Sequence, residues 1–298
     1  MINHQGTKTQ KKTCGRKVAM RLLYFPGCTL YTEAKGFDNS VRASAEALGL
    51  ELVEMARWNC CGATFPLNVD NMLDLVGPAR NLIEARQEGV EINADRCLVT
   101  ACSTCYNVLK RTNHFLRTDK EGREKINAFV EAGYDYEGDL EVLDFLQVLR
   151  DEIGFERIAA AVKRPLDRLR VAAYYGCMVL RPPAEVAYDD PENPRALDDL
   201  MRALGAEPVD YPHKGECCGA YLAVKSPEVT AEMGHTILAA AQRGGAQALV
   251  TNCPLCQFNL DRQRGPSPVP VLYFTQLLAM ALGLDDESFD PRPLLGEI

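Results

Sequence analysis

One group of cysteines occurs twice along this chain, in the same order and at similar spacing. In each copy a single cysteine precedes an adjacent Cys-Cys-Gly, which in turn precedes a Cys-x-x-Cys motif. The intervals are 31 and 40 residues in the first copy and 39 and 34 in the second. Equivalent cysteines lie 149 to 157 residues apart, which indicates a duplicated domain rather than a solenoid of short repeats. Ten of the twelve cysteines form these two sets: the first cysteine set is Cys28, Cys60, Cys61, Cys102 and Cys105, and the second cysteine set is Cys177, Cys217, Cys218, Cys253 and Cys256.

The order of strands and helices repeats with the cysteines. Short apolar runs that end at turn residues predict strands, and apolar residues at helical spacing predict helices between them. This β–α alternation predicts an α/β fold in which each half is a mostly parallel sheet flanked by helices. We expect the cysteines after strands and at helix starts, where parallel sheets bind ligands and helix N-termini favour anions. The predicted strands are 21–25, 51–55, 97–100, 170–174 and 248–251, and the predicted helices are 34–48, 71–87, 197–204, 227–243 and a buried helix at 271–284.

Length and composition are typical of a globular protein with two domains. The chain has 298 residues, of which 47% are hydrophobic, and its net charge of −8 gives no indication of broad nucleic-acid binding. We predict a basic N-terminal tail at 1–20, a first domain at 21–165 and a second domain at 166–298. The tail lacks the apolar stretch of a signal peptide, and no run is long enough to span a membrane. We therefore expect a cytoplasmic protein, in which a disulfide framework is unusual.

Five thiols per copy leave several kinds of site open. A disulfide between neighbouring Cys60 and Cys61 would be strained. Structural zinc takes four ligands, commonly from two short knuckles close in sequence, and a thioredoxin-type pair needs only Cys-x-x-Cys. A cubane [4Fe–4S] cluster also takes four thiolates, whereas a multi-iron cluster with five ligands uses the whole set. Gly62 and Gly219, which follow the pairs, allow positive φ and close approach of the backbone.

The remaining two cysteines fall outside the repeat. Cys97 stands four residues before the first Cys-x-x-Cys, but the second half has Ala248 near the corresponding position. We interpret Cys97 as a core residue of a strand and Cys14 as a free thiol in the basic tail.

The complete pattern resembles the CCG domain, present twice, and the span from Arg21 to Leu284 resembles the B subunit of heterodisulfide reductase. The strings that carry this resemblance are Tyr24-Phe25-Pro26-Gly27-Cys28, Trp58-Asn59-Cys60-Cys61-Gly62-Ala63, Tyr175-Gly176-Cys177, Arg181-Pro182-Pro183, Glu216-Cys217-Cys218-Gly219-Ala220 and Cys253-Pro254-Leu255-Cys256-Gln257.

The resemblance implies two tandem CCG domains related by a pseudo-twofold axis, each binding one noncubane [4Fe–4S] cluster through its five cysteines. It implies that a disulfide, such as that of coenzymes M and B, enters between the clusters and is cleaved with one sulfur held by each. It also implies two partners, a ferredoxin-like C subunit and a flavin-containing A subunit, because the chain carries no ferredoxin-like cysteine runs of its own. His213, four residues before Cys217, is either a candidate proton donor or a surface histidine. Trp58 either shields the first cluster or serves only in packing against neighbouring side chains.

Two alternatives retain the fold and the clusters. In the first, the chain belongs to a sulfur-oxidising complex of the heterodisulfide-reductase type that acts on sulfur carried by a lipoyl protein. In the second, the CCG domains relay electrons within a dehydrogenase complex, commonly toward quinones. A zinc-binding interaction module or scaffold is a third, non-enzymatic possibility.

Overall fold

Each half of the chain forms one sheet of four parallel strands, as predicted. The computed structural model describes residues 20–63, 72–92, 94, 97–131, 133–262 and 269–296; nearly all of the predicted basic tail, with Cys14, lies outside them. The sheet orders are β2-β1-β3-β4 and β6-β5-β7-β8, so the two halves have the same topology. The strands are β1 Met20–Tyr24, β2 Leu50–Glu54, β3 Cys97–Thr100, β4 Glu141–Asp144, β5 Arg170–Tyr174, β6 Glu207–Pro208, β7 Ala248–Thr251 and β8 Val271–Tyr273.

Helices connect the strands and cover the sheets. In the first half they are α1 Cys28–Tyr31, α2 Lys35–Ala47, α3 Leu73–Glu91, α4 Ser103–Thr118, α5 Lys120–Val130, α6 Phe145–Val148, a π-helical turn at Leu149–Ile153, and α7 Phe155–Ala161. In the second half they are α8 Pro183–Val186, α9 Ala196–Ala203, α10 Leu222–Lys225, α11 Pro227–Arg243, α12 Pro254–Arg262, α13 Phe274–Ala281 and α14 Arg292–Leu295.

The prediction of a single helix over 271–284 was wrong at its beginning. Residues Val271–Tyr273 form β8, which pairs with β7 through Leu249 and Val271, and only then does α13 start. A fully apolar run has no period that separates a buried strand from a buried helix, so pairing with β7 decides its conformation. The first half has the same arrangement, because α6 begins directly after β4.

The helices that follow the last strand of each half pack on the other half. α13 of the second half packs on α2 of the first, and α6 and α7 of the first half pack on α9 of the second. At the first of these contacts the rings of Phe37 and Tyr273 stack with centroids 4.2 Å apart, and the Ser40 and Thr275 hydroxyls hydrogen-bond at 2.6 Å. The apolar core is therefore continuous between the halves.

The sheet topology determines where the cysteines lie. The order of each sheet reverses between its first and third strands, β1 and β3 in one half and β5 and β7 in the other. Ligands of parallel α/β proteins bind at such a switch point, beyond the carboxyl ends of the strands. Cys28 and Cys102 follow β1 and β3, and Cys177 and Cys253 follow β5 and β7.

Candidate functional site

The five thiols of the first cysteine set form a continuous chain of neighbours. The Sγ atoms of Cys28 and Cys60 are 3.7 Å apart. Cys60 interacts with Cys61, Cys61 hydrogen-bonds to Cys105, and Cys105 hydrogen-bonds to Cys102. Folding thus brings together residues that are 77 positions apart at the ends of three strands.

The second cysteine set has the same connectivity. Its thiols interact in the order Cys177, Cys217, Cys218, Cys256 and Cys253. All ten cysteines of the two sets are free thiols, without a disulfide among them. Within the described residues, no three Cys, His, Asp or Glu side chains converge on a position for a single metal ion. The donors form two matching rows of sulfur atoms.

Several of these thiols have lowered pKa values, and the cause is hydrogen bonding within each set. The Cys105 thiol lowers the pKa of Cys61 to about 7, and the Cys177 and Cys218 thiols lower that of Cys217 to about 3. The Cys256 thiol likewise lowers the pKa of Cys253 to about 7. The same hydrogen bonds raise the pKa values of the partner thiols Cys105, Cys177 and Cys256. Each set thus contains a thiol with a lowered pKa, and thiolates are the form that binds metal.

Two buried polar residues of α3 hold the loop that carries the first cysteine pair. The Asn81 side chain accepts from the Asn59 N–H and donates to the Asn59 carbonyl, both at 2.8 Å. Glu88 accepts the backbone N–H groups of Ala56 and Arg57 at 2.8 and 3.0 Å. The backbone groups of the loop therefore have hydrogen-bond partners on α3, and these bonds fix the position of the loop relative to that helix.

A different residue holds the loop of the second pair. Asn259 of α12 is buried, and its amide donates to the carbonyls of Cys218 and Ala220 at 3.3 and 3.0 Å. The same amide lies 3.6 Å from the Cys218 sulfur. Gly62 and Gly219, which follow the pairs, both have φ of +90°, the left-handed conformation that glycine favours.

Glycines also sit at the turns after β1 and β5. A Cβ atom on Gly27 would lie 2.8 Å from the Cys105 sulfur, and one on Gly176 would lie 3.1 Å from the Cys256 sulfur. Only a residue without a side chain allows the backbone to pass so close to these thiols. Both glycines directly precede a cysteine in the sequence, but the cysteine pattern alone does not indicate this role for either of them.

The two cysteine sets meet at the starts of α4 and α12. Ser103 donates to the Asn252 carbonyl from its N–H at 3.3 Å and from its hydroxyl at 2.9 Å. Thr104 Oγ1 lies 3.8 Å from the Cys253 sulfur, and both residues are buried. The first Cys-x-x-Cys segment thus directly contacts the second cysteine set.

A tyrosine of the second half also spans the two sets. The Tyr221 hydroxyl donates to the Ala63 carbonyl at 2.9 Å, which joins the residue before α10 to the loop of the first pair. Burial raises the pKa of Tyr221, and negative charge at cysteines of both sets, with Cys102 and Cys253 foremost, raises it further. The ring remains 41% exposed, so Tyr221 stands at the surface between the two sets.

The two remaining candidates lie beside the sets. His213 has φ of +75° and its Nδ1 is 2.8 Å from the Glu216 carboxylate; it lines a polar surface cavity of about 470 Å³ with Arg181 and Lys214. Trp58 packs edge-on against the rings of Phe25 and Tyr31. The proton-donor role of His213 and the shielding role of Trp58 stay predictions.

Comparison with protein families decides how this architecture is classified. The model of the cysteine-rich domain called CCG matches residues 22–110 and 171–261, one match in each half. The chain belongs to the CCG family. The two matched segments contain all ten cysteines of the two sets, so each CCG domain contributes one complete set.

Relatives of known name share nearly the whole length of this CCG protein. It is 35% identical over 270 residues to the 8-methylmenaquinol:fumarate reductase membrane anchor subunit of Wolinella succinogenes, covering 88% of this chain and 92% of the relative. It is 30% identical over 280 residues to the B subunit of the ferredoxin/F420H2-dependent CoB-CoM heterodisulfide reductase of Methanosarcina acetivorans, covering 90% and 91%. The predicted resemblance to the B subunit of heterodisulfide reductase is confirmed.

A solved structure shares the fold. A hypothetical protein from Helicobacter pylori superposes with a TM-score of 0.70 at 14% identity, covering 90% of this chain and 50% of that one.

Among the helices in the described part of the chain, none has the length and apolarity needed to cross a bilayer.

Proposed function

We propose that this CCG protein is the iron–sulfur subunit of a heterodisulfide reductase-type complex, in which two noncubane [4Fe–4S] clusters cleave a disulfide such as that of coenzymes M and B. The observation that carries the proposal is that Thr104, between the two cysteines of the first Cys-x-x-Cys motif, contacts Cys253 of the second five-thiol row. A substrate with two sulfur atoms requires two sulfur-binding sites close together, because holding both sulfurs favours the reaction by proximity.

The donor set fits such clusters. Each row offers five thiols in one connectivity, several with lowered pKa values, beside glycine turns that leave no side chain between backbone and sulfur. We assign the ten cysteines as the iron ligands. When bound, the clusters would supply electrons and the iron atoms to which the substrate sulfurs attach.

The reaction consumes two electrons and two protons and converts one disulfide into two thiols. The residues of the chain would orient the substrate and keep the two sites adjacent, through Ser103 and Thr104 on one side and Tyr221 on the other. His213 remains the candidate that delivers a proton, although its ring nitrogen faces Glu216.

Electrons must reach the two sites from elsewhere. We propose a ferredoxin-like C-type subunit and a flavin-containing A-type subunit as partners, in the cytoplasm. The relatives are themselves named as subunits of larger reductases, which supports a complex.

A second candidate is an electron-relay subunit of a fumarate reductase or dehydrogenase complex that exchanges electrons with a quinol. The 35% identity to the Wolinella subunit favours it. The fold and clusters would be the same, but no disulfide would be cleaved. The sulfur-oxidising alternative would instead act on persulfidated lipoate.

The test is an anaerobic assay of the purified protein with a reduced viologen as electron donor and a panel of disulfides. We expect disulfide-dependent oxidation of the viologen, with loss of at least 90% of the rate in Cys61→Ser and in Cys218→Ser, because neither site completes the reaction alone. Ser44→Ala is the control and should retain the rate, because Ser44 is a buried residue of α2 outside both sets and its hydroxyl has no hydrogen-bond partner among the described residues.

The outcomes separate the candidates. Reoxidation by a quinone analogue without any disulfide turnover would favour the electron relay, and oxidation of persulfidated lipoate would favour the sulfur-oxidising complex. If one cysteine variant kept about half of the rate, the shared active site would be refuted.

A further inference from the structure

Among the described residues, the side-chain hydrogen-bond donors from outside the sets that reach cysteine sulfurs are distributed unequally between the two sets. In the second set, Thr104 Oγ1 lies 3.8 Å from Cys253 and Asn259 Nδ2 lies 3.6 Å from Cys218. Thr104, Asn259 and both cysteines are buried. These donors therefore act where water does not compete.

The first set lacks the corresponding donors because the repeat differs at these two positions. Thr104 corresponds to Leu255, and Asn259 corresponds to Val108, each counted from the Cys-x-x-Cys motif. The side chains of Leu and Val donate no hydrogen bond. In the first set, the described side-chain contact to sulfur from outside the set is Thr29 Oγ1 at 3.9 Å from Cys28, at an exposed position.

The hydrogen bonds between the two domains are also asymmetric, and again the donor lies in the first domain. Ser103 donates two hydrogen bonds to the Asn252 carbonyl. The equivalent of Ser103 in the second half is Pro254, which has neither an N–H group nor a hydroxyl to return them. The first domain thus donates to the second across the interface.

We propose that Thr104 and Asn259 make the two cluster sites redox-inequivalent by raising the reduction potential of the second site alone. This inference rests on the proposed function only in that it requires clusters on both cysteine sets. A sulfur bound to iron carries no proton, so the Thr104 hydroxyl must donate and Cys253 must accept. Reduction adds negative charge to a cluster, and donors to its sulfur ligands stabilise that charge.

Thr104 acts through the ligand sulfur and is a positioning and tuning residue rather than a catalytic one. Solvent also stabilises a reduced cluster, and Cys28 and Cys60 of the first set are exposed. The decisive comparison is therefore between variants at one site, not between the two sites.

The test is a redox titration of the anaerobically purified, iron-loaded protein, followed by EPR. Thr104→Val preserves shape but removes the hydroxyl, and we expect the potential of one cluster to shift downward while the other stays unchanged. Thr104→Ser, which retains a hydroxyl, should restore the wild-type potential. The signals are assigned with Cys28→Ser and Cys177→Ser, each of which alters one set.

Thr112→Val is the matched control. Thr112 is buried in the same helix, α4, and its hydroxyl has no hydrogen-bond partner among the described residues. It should leave both potentials unchanged. Asn259 also holds two loop carbonyls, so Thr104→Val is the cleaner variant.

Unchanged potentials in Thr104→Val, or equal shifts of both clusters, would overturn the inference. Equal iron contents in wild type, Thr104→Val and Thr112→Val establish that the clusters are loaded. A wild-type protein without iron would instead refute the proposed function, so the two failures are distinguishable.

Discussion

At the scale of single residues, the site depends on polar side chains that no cysteine pattern reveals. Asn81 and Glu88 fix one cysteine loop and Asn259 fixes the other, although the two loops share the same Cys-Cys-Gly sequence. Tyr221 then joins the second domain to the first loop. Each half therefore holds its Cys-Cys-Gly loop in place with a different set of hydrogen bonds.

Tyr221→Phe tests the link between the domains. We expect a loss of about 1 kcal/mol in the free energy of unfolding, the usual net value of one hydrogen bond. We also expect faster amide hydrogen exchange at residues 60–63, because their loop loses its tie to the residue before α10. Tyr134→Phe is the matched control, since the Tyr134 hydroxyl donates to the Ile83 carbonyl at 3.0 Å and its ring is 36% exposed. Exchange at 60–63 that stays at the wild-type rate in Tyr221→Phe would argue against the link.

Asp144→Asn tests a pH dependence of stability. Burial raises the pKa of Asp144 to about 7, although it accepts the Leu146 N–H at the start of α6. Because the folded pKa lies above the unfolded value of about 3.9, this group stabilises the fold most at low pH. That contribution is lost as pH rises from about 4 to about 7, with a maximal slope of about 1.4 kcal/mol per pH unit.

Asn caps a helix as well as Asp but does not titrate in this range. The variant should therefore show a smaller fall in the free energy of unfolding between pH 5 and pH 7, measured by anaerobic denaturant titration. Identical falls in wild type and variant would show that Asp144 does not titrate in this window.

At the scale of elements, the turns after β1 and β5 determine how closely the chain approaches the sulfur atoms. Gly27 has φ of +78°, and its missing side chain leaves room for Cys105. The turn is therefore part of the first cysteine set, even though it contributes no ligand.

Gly27→Ala should displace Cys105 and lower the iron content from about eight to about four per chain, because one [4Fe–4S] site is lost. Gly133→Ala is the control for backbone strain. Gly133 has φ of +75°, but a Cβ atom there would meet nothing within 4 Å. Gly27 has ψ of 162°, a conformation essentially confined to glycine, so Gly27→Ala should lose about 1–3 kcal/mol of stability. Gly133→Ala should lose about 1–2 kcal/mol, the usual strain of a left-handed alanine. Full iron content in Gly27→Ala, measured alongside the control, would contradict the role of this turn.

The elements that sequence predicts well are those whose signals are local. Strand β5 and helix α11 have the predicted bounds because apolar runs and flanking Gly or Pro residues mark them. Strands β4 and β8 were not predicted, since each is short and is defined by pairing with a neighbouring strand. The helices that follow them, α6 and α13, are positioned by packing on the other half.

At the scale of the whole molecule, duplication made the ten cysteines recognisable but did not specify how the two sets meet. The contact between Thr104 and Cys253 joins residues 149 positions apart and exists only because the halves share one core. Leu255 and Val108 stand where the other copy has a side-chain hydrogen-bond donor, so the copies have diverged beside the cysteine sulfurs. That difference is visible in sequence only after the structure identifies its positions.

The central claim is that each CCG domain holds one iron–sulfur cluster on its five thiols. The most direct measurement is the iron and acid-labile sulfide content of the anaerobically purified chain, with EPR of the same sample. We predict about eight irons and about eight sulfides per chain, as two four-iron clusters require, with a noncubane signal. Bound zinc without acid-labile sulfide would contradict the account.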